Sequence, residues 1–153
     1  DYFNRLSIRK AGLDELFENS DVISLHCNLT SETKHLIDGG AFSKMRKKPV
    51  IINTSRGELI CEEALLEALN QGKIHSAGLD VYENEPITEK QNELINHPRT
   101  VCTGHYAWYS IEATVELQRR AALNLLNLLK GNKVEDCINE SPPKTKFFKS
   151  AKN

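Results

Sequence analysis

Residues 49–57 read Pro-Val-Ile-Ile-Asn-Thr-Ser-Arg-Gly. Val50, Ile51 and Ile52 form a short continuous apolar run between Pro49 and the polar Asn53-Thr54-Ser55. A run of that kind predicts a strand of a parallel sheet, with cover expected on both faces. Working outward, Asp21-Val22-Ile23-Ser24-Leu25-His26-Cys27 predicts a strand before it. Ser76-Ala77-Gly78-Leu79-Asp80-Val81 and Arg99-Thr100-Val101-Cys102-Thr103 predict two more after it. Helical patterns fall between them. Asp14 to Glu18 places Leu13, Leu16 and Phe17 on one face. Thr30-Ser31-Glu32-Thr33 reads as a helix start, and a short helix is expected after Asp38, around Ala41 to Met45. Cys61 to Gln71 is amphipathic, with Leu65, Leu66 and Leu69 on one face and Gly72 where a C-cap glycine belongs. The longest helix is expected from about Ser110, a candidate N-cap, to Leu129, ended by Lys130-Gly131-Asn132. Val134 to Ile138 reads as a small extra strand or an extended segment. Strands alternating with helices predict an α/β fold built on a parallel sheet.

Composition narrows the function. With 20 basic and 21 acidic residues among 153, the chain has no electrostatic footprint for nucleic acid. No apolar run approaches the roughly 18 residues of a membrane span. A hydrophobic share of 39% with balanced charge argues against a disordered chain. Cys27, Cys61, Cys102 and Cys137 are separated by 34, 41 and 35 residues. No C-x-x-C pair occurs, so neither a zinc ribbon nor a dithiol redox site is expected, and no metal site is assigned. Buried reduced thiols and an intracellular setting are expected instead.

In an open parallel sheet, ligands bind beyond the carboxyl ends of the strands. Residues 26–30, 53–57, 80–86 and 103–108 belong there, and all four segments are rich in polar and ionisable groups. The sequence contains no G-x-G-x-x-G and no P-loop, and its one Gly-Gly pair, Gly39-Gly40, is expected to follow a helix. No phosphate-cradling turn is therefore read.

Four stretches make the reading specific. DVISLHCNLT (21–30), IINTSRGEL (51–59), AGLDVYENEP (77–86) and TGHYAWYS (103–110) occur in that order, with Arg56 29 residues before Glu85 and Glu85 20 before His105. Together they resemble the NAD-dependent D-2-hydroxyacid dehydrogenase family over most of the chain. The run from His105 to Ser110 and the ending VEDCIN (134–139) are most similar to the branch holding the C-terminal-binding proteins. The resemblance implies a partial Rossmann-type doubly wound parallel sheet followed by a long C-terminal helix. Residues 1–130 would be the C-terminal portion of a NAD-binding domain. Residues 131–153 would return toward a substrate domain and end in a basic tail. A chain starting at Asp1 without Met then reads as the back part of a longer protein, inactive alone. Asp1 itself would be the acid that bonds the adenosine ribose. In such a sheet the Val22 to Cys27 strand would lie at the middle, so in this segment it is expected to be an exposed apolar edge.

Two functional classes follow from the resemblance. One is an oxidoreductase passing a hydride between NAD(H) and a small 2-hydroxy or 2-keto acid, a cytoplasmic homodimer. The other is a dinucleotide-regulated transcriptional corepressor, nuclear rather than cytoplasmic. Reduction of a 2-keto acid needs a cation for the carboxylate and a proton donor for the carbonyl oxygen. Arg56 has the planar fork that suits a carboxylate, and its alternative is a surface arginine paired to a nearby acid. His105 is the acid/base by resemblance, and its alternative is a loop histidine bonded to a backbone carbonyl, which is the reading given to His26, His35, His75 and His97. Glu85 would orient the imidazole, with Glu83 and Glu89 read as solvated competitors. The resemblance places Asp80 on the nicotinamide carboxamide. It also places His26, Asn28, Thr30, Asn53, Thr54, Ser55, Arg56 and His105 along the cofactor. Trp108 would line the substrate pocket or simply pack at a helix start. Two positions depart from the family pattern, Gly104 and Asn28, where proline is usual. Both loosen a loop without removing a reacting group.

Overall fold

The computed structural model describes Leu6 and residues 8–138. Asp1, Asn139 and the basic tail lie outside the described residues, and with them the ribose assignment of Asp1. The chain divides into two compact units, residues 1–107 and 108–153.

The first unit is built on four parallel strands in the order β1-β2-β3-β4: β1 Val22–Leu25, β2 Val50–Asn53, β3 Ser76–Leu79 and β4 Thr100–Cys102. The register pairs Ile23 with Ile51, Ile51 with Ala77, and Ala77 with Thr100. All four strands were legible; β1, β3 and β4 are shorter than expected at their carboxyl ends because the residues just beyond Leu25, Leu79 and Cys102 turn into the loops there, whereas β2 runs to Asn53. The helices are α1 Leu13–Asn19, α2 Gly39–Lys44, α3 Glu62–Asn70 and α4 Asn92–Ile95, with 3-10 turns at Gly57–Leu59 and Glu89–Gln91.

Burial accounts for this arrangement. Ile23, Leu25, Ile51, Ala77 and Leu79 share one sheet face, and Phe17, Phe42, Leu65, Leu69 and Leu94 from the helices pack with them in one core. Fully burying a leucine such as Leu65 or Leu69 contributes roughly 1.5–3 kcal/mol. The opposite face departs from the expectation of cover on both sides. Val50 and Ile52 are half-buried, Val22 and Val101 are 55% and 72% exposed, and burial along β2 alternates. Among the described residues no strand flanks the outer side of β1, the expected exposed edge.

Local chemistry sets the ends of the helices. The Asp38 carboxylate accepts the Ala41 N–H at 2.9 Å and starts α2, so Gly39-Gly40 opens this helix rather than following one. Gly72, at φ +67°, ends α3 as expected. The helix start read at Thr30 is instead a turn over residues 31–35. Thr33 Oγ1 donates to the Asn28 carbonyl at 2.7 Å and accepts the Thr30 N–H at 2.8 Å, which competes with helical bonding. His35, at φ +53°, then takes the chain into the left-handed region. The 3-10 turn and α4 within residues 89–95 were not anticipated. All four cysteines are unbridged and only partly buried, more exposed than expected.

In the second unit, α5 runs Ile111–Leu129, and the Ser110 hydroxyl accepts the Ala113 N–H at 3.0 Å. Residues 134–138 hold no strand. Asp136 is instead fixed by Arg120 and Asn124 of α5. Among the described residues no helix is long and apolar enough to cross a membrane.

Candidate active site

Parallel strands carry their following loops to one end of the sheet, and three of those loops supply the charged groups. After β2, buried Asn53 shapes a tight turn. Its Oδ1 accepts the Ser55 N–H at 3.1 Å, and its Nδ2 donates to the Arg56 carbonyl at 2.9 Å. Ser55 Oγ ties this turn to the β1 loop by donating to the Cys27 carbonyl at 2.7 Å. The turn presents Arg56 outward, with Nη1 on the Ser55 carbonyl at 2.6 Å. Arg56 makes no ion pair among the described residues, so its fork is available to an outside anion.

Gly57 follows, and its absent side chain is a packing requirement. A Cβ there would lie 1.9 Å from the Tyr82 carbonyl carbon and 2.0 Å from its oxygen. The Arg56 turn and the loop after β3 thus touch backbone to backbone.

The β3 loop supplies Asp80 and Glu85. The Asp80 carboxylate, 3% exposed as a residue, accepts the Thr103 hydroxyl, the Tyr106 N–H at 2.8 Å and the Ala107 N–H at 2.9 Å. Burial pushes this carboxyl up, but those three donors and the nearby imidazole outweigh it and hold it below its ordinary value. Glu85 Oε1 accepts the Tyr82 N–H at 3.0 Å, and Oε2 meets His105 Nδ1 at 2.8 Å. Here too burial acts upward, and the His105 contact and the Tyr82 N–H prevail, so the carboxyl stays below its ordinary value. His105 sits at φ +64°, a strained region for a residue with a side chain, and the Asp80 anchor on the next two residues sustains it.

Arg56, Glu85 and His105 line one cleft of about 210 Å³ together with Leu29, Gly57, Glu58, Val81, Tyr82 and Glu83. A second cleft of about 420 Å³ adjoins Arg56 and is lined by Asn28, Leu29 and Ser55. The other sequence-derived candidates are placed elsewhere. His26 Nε2 turns back to Ser24 Oγ at 2.8 Å, and the Thr30 hydroxyl accepts the Glu32 and Thr33 N–H groups within its own turn. Thr54 is exposed. Asn53 and Asp80 spend their polar atoms on the loops. Trp108 belongs to the second unit, where its ring meets Tyr109 edge-on at 5.6 Å. The remaining histidines also differ from their expected backbone-carbonyl contacts. His35 meets Glu83, His75 meets Ser76 Oγ, and His97 Nδ1 accepts the Arg99 N–H. Glu89 is exposed as read, but Glu83 is half-buried and paired. Leu29, Gly57 and Thr103 fall within the segments expected at this end of the sheet, although no role was assigned to them; Glu58, which also lines the cleft, lies outside those segments.

The fold is thus a parallel α/β sheet that brings an arginine, a glutamate and a histidine together at the carboxyl ends of its strands, where sheets of this class bind ligands. The sequence pattern described as "D-isomer specific 2-hydroxyacid dehydrogenase, NAD binding domain" matches residues 2–107, and the chain belongs to that family. It is 42% identical over 147 residues to D-lactate dehydrogenase of Escherichia coli (strain K12), covering 88% of this chain and 44% of that protein. It is 38% identical over 135 residues to glyoxylate/hydroxypyruvate reductase B of Enterobacter sp. (strain 638), covering 88% and 41%. Among solved structures, D-lactate dehydrogenase from Aquifex aeolicus complexed with NAD and lactic acid superposes with a TM-score of 0.79 at 28% identity, covering 86% and 44%. The chain therefore spans less than half the length of these relatives. They are dehydrogenases and a reductase, and the corepressor alternative finds no support among them.

Proposed function

We propose that this chain carries the acid–base pair and the carboxylate-binding arginine of a NAD-dependent D-2-hydroxyacid dehydrogenase. The observation that supports it most directly is the 2.8 Å contact between His105 Nδ1 and Glu85 Oε2 in the cleft that also holds the unpaired Arg56. With Glu85 ionised, Nδ1 carries the hydrogen it donates, and Nε2 is left to exchange a proton with the substrate oxygen. Arg56 holds the substrate carboxylate through its planar fork and turns the carbonyl toward His105. The dinucleotide, when bound, supplies or accepts the hydride. Asn28, Ser55 and Arg56 fit its polar end, since they line an open cleft at the carboxyl ends of the strands. The fit is partial, because the sequence holds no G-x-G-x-x-G and no described loop is assigned to the phosphates.

The names of the relatives point to pyruvate, glyoxylate and hydroxypyruvate as the first substrates to try. Residues 1–130 are read as part of the NAD-binding domain, and residues 131–153 as a segment returning toward a substrate domain. The 153 residues alone are expected to be inactive, and the whole protein is expected to be a cytoplasmic homodimer on the family pattern.

The test is NADH oxidation by the full-length protein with each of those acids. His105→Ala should lower kcat by roughly 10²–10⁴-fold, the contribution of a positioned acid/base. Undiminished turnover in that variant refutes the assignment.

A further inference from the structure

We propose that Glu83 is a positioning residue for this reaction, tying the start of α3 and the His35 turn to the loop that carries Glu85. The inference rests on the dehydrogenase reading for its kinetic consequences, but its geometry stands apart from that reading.

The tie is a closed ring of bonds. Glu83 Oε1 accepts the Glu62 N–H at 2.9 Å, and Glu62 Oε1 accepts the Glu83 N–H at 2.8 Å. The same Glu83 oxygen lies 3.1 Å from His35 Nε2. A helix start ordinarily finds its cap in its own N-cap side chain. Here Cys61 holds the N-cap position and makes no capping bond, so Glu83 reaches across from another loop to do it. His35 meets Glu83 from a left-handed backbone, held there by its N–H on the Glu58 carbonyl at 2.7 Å. Burial and, less strongly, the Glu83 charge push the Glu62 carboxyl up, against the Glu83 N–H and Gln91, which pull it down.

The ring sits two residues from Glu85. Tyr82, next to Glu83, gives its N–H to Glu85 Oε1, and its carbonyl abuts Gly57 beside Arg56. Glu83 lines the same cleft without bonding to Arg56, Glu85 or His105. A shift at residue 83 therefore changes the spacing of Arg56 from the Glu85–His105 pair.

The experiment uses the full-length protein. Glu83→Ala should lower kcat for 2-keto acid reduction by about 10–100-fold, the scale of an ångström-sized misplacement. KM for NADH should change by less than about twofold, a split that general destabilisation does not produce. Glu83→Gln keeps an amide oxygen that accepts both N–H bonds, and should recover at least about half the wild-type kcat. A kcat within about twofold of wild type in Glu83→Ala, or Gln as damaging as Ala, overturns the proposal. If Glu83→Ala does not fold, Glu62→Ala removes the return bond to the Glu83 N–H, and the same selective loss of kcat is expected. If the wild-type protein reduces no keto acid, the dehydrogenase reading fails and amide exchange decides this inference. The Tyr82 N–H reports the placement of the Glu85 carboxylate, and its exchange should quicken about tenfold in the folded variant. Unchanged exchange overturns the tie.

Discussion

Gly57→Ala puts one methyl group where the structure has no room for it. The added carbon would stand 1.9 Å from the Tyr82 carbonyl carbon, 2.0 Å from its oxygen and 2.5 Å from the Glu83 nitrogen. Carbon atoms rest comfortably at about 3.5 Å, so the two backbones must part by roughly 1.5 Å. Neither side yields cheaply. Tyr82 is 5% exposed and its hydroxyl donates to the Thr103 carbonyl at 2.9 Å, while Glu83 is locked to Glu62. Overpacking of this kind costs about 1–3 kcal/mol, and a broken hydrogen bond in the ring adds about 1 kcal/mol. To the extent that the loops separate, Arg56 moves away from Glu85 and His105, and an ångström there costs on the order of 10²-fold in rate. The full-length variant should therefore lose Tm, kcat/KM for a 2-keto acid, or both. Gly72→Ala is the control, because Gly72 sits at φ +67° with open space around it. It should lose about 1–2 kcal/mol of stability, the cost of a Cβ in the left-handed region, and no activity. Gly57→Ala with wild-type Tm and wild-type turnover refutes the claim that the two loops are set by direct backbone contact.

Two further outcomes follow from the acids. Folding lowers the Glu85 carboxyl from 4.5, so between the folded and unfolded values the unfolded chain binds more protons and stability rises with pH. The stability advantage of wild type over Glu85→Gln is thus complete above the unfolded value and shrinks as pH falls through the folded one, and urea unfolding across that range checks it; a constant difference contradicts the assignment. Asp80→Ala leaves the Tyr106 and Ala107 N–H groups without their acceptor, at about 1.5–3 kcal/mol for a bond to a charged group, and should speed exchange at those two amides while lowering kcat; unaltered exchange shows that another group anchors the His105 loop.

The strands were legible because a continuous apolar run such as Val50-Ile51-Ile52 is too short for a buried helix and too apolar for a surface loop. The turn at residues 31–35 misled because Thr30 and Thr33 are ordinary near a helix start, and nothing in their spacing shows a hydroxyl reaching the Asn28 carbonyl. The stretch 86–95 hid its helical turns because its composition is polar and it opens on Pro86. Its order comes from buried Gln91, whose Oε1 accepts the Thr88 N–H and hydroxyl. The expectation of cover on both sheet faces failed for a related reason. An apolar run records what a strand needs, whereas the described helices of the first unit supply it on one face. In the site, Arg56, Glu85 and His105 were readable through motifs. Asn53 and Asp80 were assigned to the cofactor because their motif neighbours suggest it. Their side chains bond chiefly to main chain, and the Asp80 partners lie more than 20 residues away, where pattern reading has no access.

That preference for main-chain partners shows how a site carried on loops keeps its shape. Asp80 is fixed by two N–H groups, Glu85 by one, Glu83 by that of Glu62 and Glu62 by that of Glu83, so backbone position sets carboxylate position. It also sets the charge of the cleft. Among the acids lining it, Glu58 faces Lys34, Glu83 faces His35 and Glu85 faces His105, and each thereby has a cationic or protonatable partner. Arg56 has none among the described residues. The Arg56 guanidinium is therefore left to an outside anion, on a fork shaped for a carboxylate. In the proposed reaction a 2-keto acid would place its carboxylate on that fork and turn its carbonyl oxygen toward His105. A second carboxylate on the substrate would meet Glu58, Glu83 or Glu85 and find no further cation. On the proposed reading, the acids lining this cleft thus weigh against a second carboxylate on the substrate.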